Sequence, residues 1–550
     1  MGRWGSPPGR IYFCANSMDH ALNAAWSVRS SPTTDEEIVK MMARRIAALW
    51  ALAALVSGCA TNPVTGENEL MLVSEDTELR TGREQYAPSR QMQGGDFLLD
   101  PPLGAYVAEV GQRLVRVSDR KLPYEFSVIN DSTPNAWALP GGKIAVNRGL
   151  LWELGSEAEL AAVLAHEIVH AAARHGAQGM QRGVLLQGAL IAAGVATRDS
   201  DYSRLAVGAA SVGAGLLNQS YSRDAEREAD EYGMRYMARA GYDPMAAVEL
   251  QQTFVRLNER REPNWLSGLF ASHPPSPERV ELNRRTAAQL GVKGERGEAR
   301  YRRMSARLRE LRPAYEAYDQ GRKALAGGET KQALALAEQA LGLEPSEALF
   351  HGLKGEALAR QGRTDEAESA YNRAIDLDPG FFRHYLQRGE VRLKQGRWGE
   401  AQADLKRSLA LLPTADAHYL LGRLALRGGD QRGALVHFRS AAGSGSDTGR
   451  LAAGELVRIQ LPDQPQRYLG TRLGIERGWL VVQVSNDTPL AVDRVELLVG
   501  RQGQQRGARY RIGRVIPSGG QVRVVTDIRL ESREQLPQWR ALVRRARIVE

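Results

Sequence analysis

The sequence predicts an α+β, mainly α, chain that divides into several domains, and three observations support this prediction. The chain has 550 residues, and a single hydrophobic core rarely grows beyond about 250 to 300 residues. Small residues and prolines recur every 34 positions between residues 314 and 445, which is typical of an α-solenoid. From Gly478 onward, apolar residues alternate with a period of two, which indicates strands.

Composition and charge exclude the extreme classes of protein. Hydrophobic residues make up 43% of the chain and charged residues 25%, as in ordinary globular proteins rather than disordered or polytopic membrane proteins. The net charge is +9. Arginines near the C-terminus could contact lipid headgroups or nucleic acid, but scattered arginines are more often a solvated face, and we predict no nucleic-acid partner. These are Arg540, Arg544, Arg545 and Arg547.

The N-terminus carries a predicted secretion signal. Residues 41–58 combine the basic pair Arg44 and Arg45 with an apolar run of about 11 residues and small residues before Cys59, the pattern of a signal peptide. The run is well short of the roughly 20 residues of a membrane-spanning helix. We therefore predict that residues 1–58 form a dispensable extension followed by a signal peptide.

The end of this signal, VSGC, resembles the lipobox of bacterial lipoproteins. The resemblance implies that Cys59 is diacylated and becomes the mature N-terminus, so that a lipid anchor holds the protein to a membrane. Ala60, in place of Asp, implies the periplasmic side of the outer membrane. Because Cys14 is the only other cysteine, no disulfide is expected.

A histidine pair lies on a strongly predicted helix. Ser156 and Glu159 have the spacing of a capping box at its start. His166 and His170 are four residues apart, so both imidazoles project from one face and can reach one zinc ion at about 2.0–2.1 Å. Glu167 can then act as general base when water attacks a peptide carbonyl. An ordinary histidine pair on a helix is the alternative for this short HExxH motif taken alone.

A second helix offers the carboxylate that a catalytic zinc site still needs, since two histidines leave it one protein ligand short. The segment SRDAEREADEYG starts at Ser222, a suitable N-cap, and places Glu226 and Asp230 four residues apart. At this spacing one carboxylate can bind a metal while the other hydrogen-bonds a ligand histidine. A solvated helix face is the alternative.

Together, HEIVH and SRDAEREADEYG resemble the HtpX and BepA-type gluzincin peptidases, whose pattern is HExxH followed by SRxxExEADxxG. The resemblance covers about residues 60–290 and implies one zinc ion per chain. It implies that Glu226 is the third ligand and that Asp230 stands beside the site as a catalytic group. Residues 134–146 resemble the family's strand along which an extended substrate can pair.

A third motif resembles the same family. Ser272, His273, Pro274 and Arg279 match its S-H-P-x-x-x-x-R element, in which the histidine can approach the zinc ion. The resemblance makes His273 a candidate regulatory residue, although a plain loop histidine fits the sequence equally well.

Two neighbouring features receive a structural interpretation. His175 is five residues beyond His170, about 140° away from the ligand face on a continuous helix. On the second helix, Glu228 points away from the face that carries Glu226 and Asp230.

Segment 183–217 contains two apolar runs of about 13 residues, each too short to cross a bilayer. A helical hairpin over the site or against the membrane fits this segment, and the sequence does not decide between them.

The 34-residue period is similar to that of tetratricopeptide repeats, in which helix–turn–helix units stack to bury their faces. About four units are expected. We predict that their concave surface recruits proteins; a spacer is the alternative. The period is carried by Pro345, Pro379 and Pro413, by Gly328, Gly362 and Gly396, and by Ala333, Ala367 and Ala401.

The chain is therefore expected to comprise residues 1–58, a zinc metallopeptidase domain at 59–295, tetratricopeptide repeats at 314–445 and a small β-rich domain at 465–550. The last domain shows no catalytic constellation and is expected to serve binding or structure. Its strands are predicted at residues 479–484, 492–499, 510–516 and 521–526.

The predicted function is that of a zinc-dependent endopeptidase of the bacterial cell envelope. The BepA-like combination of peptidase and repeats implies misfolded or stalled envelope and outer-membrane proteins as substrates. It also implies contact with the outer-membrane assembly machinery through the repeats. The alternative is a chaperone-like or scaffold lipoprotein whose zinc site is capped by His273.

Overall fold

The computed structural model describes residues 59–192, 221–259, 273–504 and 506–549. The predicted extension and signal peptide, and the second apolar run of the predicted hairpin, lie outside these residues. In the described part, no helix has both the length and the apolar character that crossing a bilayer requires.

The chain forms two compact units. In the first, β1 (Cys59–Thr61) and β2 (Asn68–Leu70) form an antiparallel hairpin. The second unit comprises residues 62–66 and all residues from Val73 onward.

The second unit begins with an α+β region that contains the predicted site. Its elements are α1 (Glu75–Met92), α2 (Pro101–Val115), β3 (Glu125–Ile129), β4 (Ala136–Leu139), β5 (Lys143–Asn147), α3 (Arg148–Glu153), α4 (Glu157–Ala172), α5 (His175–Ala192), α6 (Arg223–Arg239), α7 (Met245–Glu259) and α8 (Pro277–Leu290). The strand order is β3-β5-β4, with β3 parallel and β4 antiparallel to β5. β4 is therefore an edge strand.

Helix α4 starts where the sequence predicts. Ser156 Oγ accepts a hydrogen bond from the Glu159 amide at 3.1 Å, and the Glu159 carboxylate accepts one from the Ser156 amide at 3.2 Å. This reciprocal capping box satisfies two amides that the helix itself leaves unpaired. Ala161, Leu164 and neighbouring residues are fully buried, so α4 runs through the core of the region.

The repeats form helix pairs, as predicted. Two short helices, α9 (Glu298–Met304) and α10 (Ala306–Glu310), lead into them. The four pairs are α11 (Arg312–Ala326) with α12 (Thr330–Leu343), α13 (Ala348–Arg360) with α14 (Thr364–Leu377), α15 (Phe382–Lys394) with α16 (Trp398–Leu411), and α17 (Ala415–Arg427) with α18 (Gln431–Ala442). A further helix, α19 (Asp447–Gln460), packs on the last pair.

The 34-residue period has a physical basis in these pairs. Gly362 follows the first helix of its pair at φ +78°, a left-handed conformation that costs glycine little. Ala367, on the next helix, is fully buried, and a small side chain there lets helices approach closely. Each repeat needs both residues at the same place, so both recur in the sequence.

The C-terminal region is a small β-sandwich. Its strands are β6 (Leu469–Glu476), β7 (Trp479–Asn486), β8 (Val492–Arg501), β9 (Ala508–Ile512), β10 (Gln521–Arg529) and β11 (Trp539–Ile548). They form two antiparallel sheets with the orders β10-β7-β6 and β11-β8-β9. Apolar residues of both sheets, such as Val482 and Leu497, share one buried core. The predicted fold class, α+β and mainly α, is thus confirmed.

Two strands of this region were not predicted. In β6, Gly470 and Gly474 weaken the alternation of apolar and polar residues. In β11, four arginines outnumber the buried residues, and the register shifts between Val543 and Arg545, which breaks the period of two. The predicted third strand was too long, since β9 ends at Ile512.

A buried polar network joins the α+β region to the repeats. Arg148 is 0% exposed and donates from Nε to Asn130 Oδ1 at 2.7 Å. Its guanidinium carbon lies 3.4 Å from the centre of the Tyr315 ring. Asn130 Nδ2 donates in turn to the Glu347 carboxylate at 3.2 Å. A buried arginine is costly unless its charge is balanced. The Nε bond and the Tyr315 ring meet part of this need, while Arg148 Nη1 has no hydrogen-bond partner among the described residues.

Candidate metal centre

Four predicted site residues meet at one point. His166 Nε2 lies 3.0 Å from His170 Nε2 and 3.2 Å from His273 Nδ1. Glu226 Oε1 lies 2.9 Å from His273 Nδ1 and 3.4 Å from His170 Nε2. All four donor atoms lie within 4.8 Å of one another. The structure therefore brings together two helices, α4 and α6, and the segment before α8.

The donor set fits a zinc ion. Donors bound at about 2.0–2.1 Å in a tetrahedron are separated by about 3.4 Å, close to the distances within this cluster. Imidazole nitrogens and a carboxylate oxygen are also ordinary zinc ligands. The four donors would together complete a tetrahedral shell, whereas a catalytic site keeps one position open.

Close packing of α6 on α4 positions Glu226 and Asp230. Ser222 Oγ caps α6 by accepting from the Ala225 amide at 3.1 Å, as predicted. Seven residues beyond Glu226, a Cβ on Gly233 would lie only 3.2 Å from the His166 amide nitrogen. The missing side chain lets the two helices approach closely.

Asp230 and Arg279 contact the candidate ligands His166 and Glu226 and hold them in position. Asp230 Oδ1 lies 3.1 Å from His166 Nδ1, which orients the ring so that Nε2 faces the cluster. Arg279 donates to both Asp230 oxygens at 2.7 Å and forms an ion pair with Glu226 Oε2 at 2.8 Å. One buried guanidinium therefore holds both carboxylates.

The continuous-helix geometry expected for His175 is wrong. Helix α4 ends at Ala172, and Arg174 has a φ of +63°, so the 140° rotation of a continuous helix does not apply. His175 Nδ1 lies 2.8 Å from His170 Nδ1, and His175 Nε2 lies 3.5 Å from Glu228 Oε1. His175 thus faces the candidate ligand His170 and helps to orient it, while Glu228 contacts His175.

Glu167 points into the same cavity as His166. It is 1% exposed, and its Oε2 has no hydrogen-bond partner among the described residues. Its Oε1 lies 3.6 Å from His273 Nε2. A buried carboxylate oxygen without a partner is unusual in proteins and is available to a water or substrate in the cavity.

Burial and charge set the protonation of the cluster. Burial raises the pKa of Glu167 and lowers the pKa of His170 well below its usual value, which favours the neutral imidazole that a metal needs. Burial acts to raise the pKa of Glu226, but His273 and His170 hold it well below its usual range. Burial likewise opposes Arg279 and His166, which together lower the pKa of Asp230.

Two bacterial relatives match the α+β region. A Vibrio cholerae protein described as a beta-barrel assembly-enhancing protease is 34% identical over 197 residues, which are 34% of this chain and 40% of that protein. The beta-barrel assembly-enhancing protease of Escherichia coli K12 is 31% identical over 248 residues, 43% of this chain and 49% of that protein. This chain thus spans less than half the length of either relative.

Two family models match this chain, one in the α+β region and one in the repeats. Peptidase family M48 matches residues 102–286, and the tetratricopeptide repeat matches residues 318–380 and 386–447. The mitochondrial metalloendopeptidase OMA1 of Schizosaccharomyces pombe is 33% identical over 260 residues, 45% of this chain and 74% of that protein. The chain belongs to peptidase family M48. The predicted resemblance to BepA-type peptidases with tetratricopeptide repeats is confirmed.

The edge strand β4 leads toward the M48 site. Ala136, on this strand, lines the same cavity as His166 and Glu167. An edge strand offers unpaired backbone groups to an incoming extended chain. The residues of β4 are themselves buried, and substrate pairing along this strand stays a prediction.

Sequence reasoning missed Tyr221 in this M48 site. Its ring stacks on His170 with centroids 3.9 Å apart and an angle of 18°. The only signal was its position directly before the N-cap Ser222, which places it at the N-terminus of the helix that carries Glu226. The contacts of His175 with His170 and with Glu228 could not be predicted from the spacing of these residues in the sequence.

Proposed function

We propose that this chain is a zinc-dependent endopeptidase. The observation that carries the proposal is the cluster of His166, His170 and Glu226 beside the buried, unpartnered carboxylate oxygen of Glu167. A zinc ion, one per chain, would polarise the scissile carbonyl and lower the pKa of a water at the open position.

The chain's own residues supply the proton transfers and the positioning. Glu167 accepts a proton from the attacking water and delivers it to the leaving amine. Asp230 holds His166 and, through Arg279, is coupled to Glu226; it is the second candidate catalytic group. Backbone groups of β4 align the substrate, which favours extended, unfolded polypeptides over folded proteins.

The proposed substrates are misfolded or stalled proteins of the bacterial envelope. Two relatives carry the name of beta-barrel assembly-enhancing protease, and the repeats offer a surface for substrates or for the outer-membrane assembly machinery. We place the peptidase at residues 59–295, the repeats at 314–445 and the β domain at 465–550. Acylation at Cys59 would hold the protein on the periplasmic side of the outer membrane.

A second candidate function is that of a capped, chaperone-like protein. It is favoured by the position of His273, whose Nδ1 lies 2.9 Å from Glu226 and 3.2 Å from His166. A fourth protein ligand would fill the position that water needs. The protein would then bind clients through its repeats until His273 withdraws.

Metal content and proteolysis test the proposal together. We expect about one zinc per chain in the purified protein, lost in His166→Ala and in Glu226→Ala. Glu167→Gln should keep the zinc and lower the turnover of an unfolded protein substrate by about 10² to 10⁴, the usual contribution of a general base. Glu231→Gln, an exposed carboxylate on α6, is the matched control and should leave both quantities unchanged.

The other outcomes separate the two candidates. Zinc without cleavage in the native protein, followed by cleavage in His273→Ala, would establish the capped state. A protein that binds no zinc when it is well folded would overturn the metallopeptidase proposal.

A further inference from the structure

The C-terminal sandwich exposes a strongly basic sheet face. In the sheet β11-β8-β9, Val495, Leu497 and Val543 point into the core and are at most 1% exposed. Residues of the opposite parity point outward. We call this outer surface the arginine face, and its basic residues are Arg506, Arg509, Arg511, Arg540, Arg544 and Arg545.

The strand register concentrates these charges. Arg509 on β9 and Leu542 on β11 both pair with Leu498 on the central strand β8. The register shift after Val543 leaves the successive residues Arg544 and Arg545 both exposed. Arginines therefore lie on both outer strands of one sheet.

Few of these charges are neutralised within the protein. Glu496 is the single carboxylate among the described residues that line the face, and it pairs with Arg511 at 3.1 Å. Arg540 donates to the Gln504 carbonyl at 2.6 Å. Within residues 59–192, 221–259, 273–504 and 506–549, no carboxylate forms an ion pair with Arg509, Arg544 or Arg545. Like charges held together repel one another, and an anionic partner relieves this repulsion.

We propose that the arginine face docks on the anionic phospholipid headgroups of a membrane. Arginines bind phosphate oxygens well because the guanidinium group presents several donors in one plane. The two outer strands are about 10 Å apart, so a flat array of phosphates matches the arginines better than one phosphate ion does. The proposal does not depend on the zinc site.

Two further observations favour a membrane over nucleic acid. Leu498 and Leu542 lie side by side between the outer arginines and are only half-buried, so they can contact the apolar edge of the headgroup layer. Among the described residues that line the face there is no aromatic ring on which an unpaired base could stack. The predicted acyl anchor at Cys59 would also keep the chain near a membrane and raise the effective concentration of headgroups.

Vesicle partitioning tests the proposal. The full chain is compared with a triple variant, Arg509→Gln, Arg544→Gln and Arg545→Gln, on vesicles of 30% phosphatidylglycerol in phosphatidylcholine at low salt. A basic residue near an anionic surface strengthens binding by about fivefold, so the triple variant should bind about 100-fold more weakly. The matched control removes Arg472, Arg523 and Arg529 from the other sheet and should change binding less than about threefold.

Lysine variants and competitors distinguish a membrane from other phosphates. A variant with lysine at the same three positions should bind the vesicles within about threefold of the native chain, because attraction to a surface of many headgroups depends mainly on charge. Equal loss in the lysine and glutamine variants would show that attraction of positive charge to an anionic surface does not account for binding, and would overturn the proposal. It would also be overturned by displacement with millimolar inorganic phosphate, by equal loss in the control triple, or by a DNA duplex binding more tightly than the vesicles. All variants must keep the melting temperature of the parent chain.

Discussion

Asp230 connects the metal cluster to the protein around it. It contacts His166 Nδ1 at 3.1 Å and accepts hydrogen bonds from Arg279 Nε and Nη2, both at 2.7 Å. A carboxylate behind a ligand histidine fixes both the tautomer and the orientation of the ring. We therefore expect the zinc affinity to depend on Asp230, although this residue is not one of the four clustered donors.

Replacing Asp230 tests this dependence. We expect Asp230→Asn to weaken zinc binding about 10- to 100-fold, because an amide cannot stabilise the ring as the carboxylate does and leaves Arg279 with one charged partner fewer. Competition with a chelator measures the affinity. Asp224→Asn, an exposed carboxylate on the same helix, should bind zinc like the native protein. Equal affinities of the Asp230 variant and the native protein would refute this role.

At the scale of secondary structure, two helices must meet closely before the site exists. The proposed ligands His166 and His170 come from α4 and Glu226 from α6. Gly233 and the fully buried Ala229 face α4, and neither adds bulk between the helices. The HExxH spacing on α4 and the small residues Ala229 and Gly233 on α6 therefore both serve the contact between these two helices.

A methyl group at Gly233 should therefore separate the helices. In Gly233→Ala, the new Cβ would meet backbone atoms of α4 at about 3.2 Å, and backbone cannot move as a side-chain tip can. We expect the free energy of unfolding to fall by about 1–3 kcal/mol, with weaker zinc binding, as measured by urea denaturation and chelator competition.

The matched control is Gly104→Ala in α2, where a Cβ meets nothing within 4 Å. Alanine favours a helix over glycine by about 1 kcal/mol, so this variant should be more stable than the native protein. A Gly233 variant that is equally stabilised would show that α4 and α6 are not in close contact.

At the scale of the whole molecule, the α+β region and the repeats share a polar cavity. Residues of both regions line it, among them Gln91, Arg148 and His384. Gln91 Nε2 donates to the Gly380 carbonyl at 2.9 Å, and the Phe382 amide donates to Gln91 Oε1 at 2.9 Å. The peptidase region and the repeats are therefore docked by specific hydrogen bonds rather than by a flexible linker alone.

His384 makes this junction sensitive to acid. It is 1% exposed, neither ring nitrogen has a hydrogen-bond partner among the described residues, and burial lowers its pKa to about 3. An unfolded chain takes up this proton near pH 6.5, so stability is full above that pH and falls as the pH decreases toward 3.

Replacing His384 should remove this sensitivity. Relative to His384→Leu, the native protein should lose about 1.4 kcal/mol of unfolding free energy for each pH unit below about 6.5. Urea denaturation at pH 7.5 and 5.0 measures the difference, and protonation of the metal-site histidines affects both proteins alike. Equal losses in the two proteins would show that His384 has the same pKa in the folded and the unfolded chain.

The sequence by itself determined the features that depend on local spacing. The capping box, the histidines on one face of α4, the N-cap of α6 and the 34-residue period all follow from residues within one or two helical turns or one repeat. Local sequence also determined that Glu226 and Asp230 share a helix. Their roles as ligand and catalytic group came from resemblance and stay predictions.

Only the tertiary structure decided which distant groups meet. His175 faces His170 because the helix breaks at Arg174, and Tyr221 and His273 come from segments 51 or more residues away from the histidine pair. Strand β11 was hidden because its arginines, read in sequence, look like a solvated face. The physical reason is that the spacing of residues in the sequence predicts which side chains are neighbours within one helix or strand. A site or a charged face forms where separate helices and strands pack together, and sequence spacing does not predict that packing.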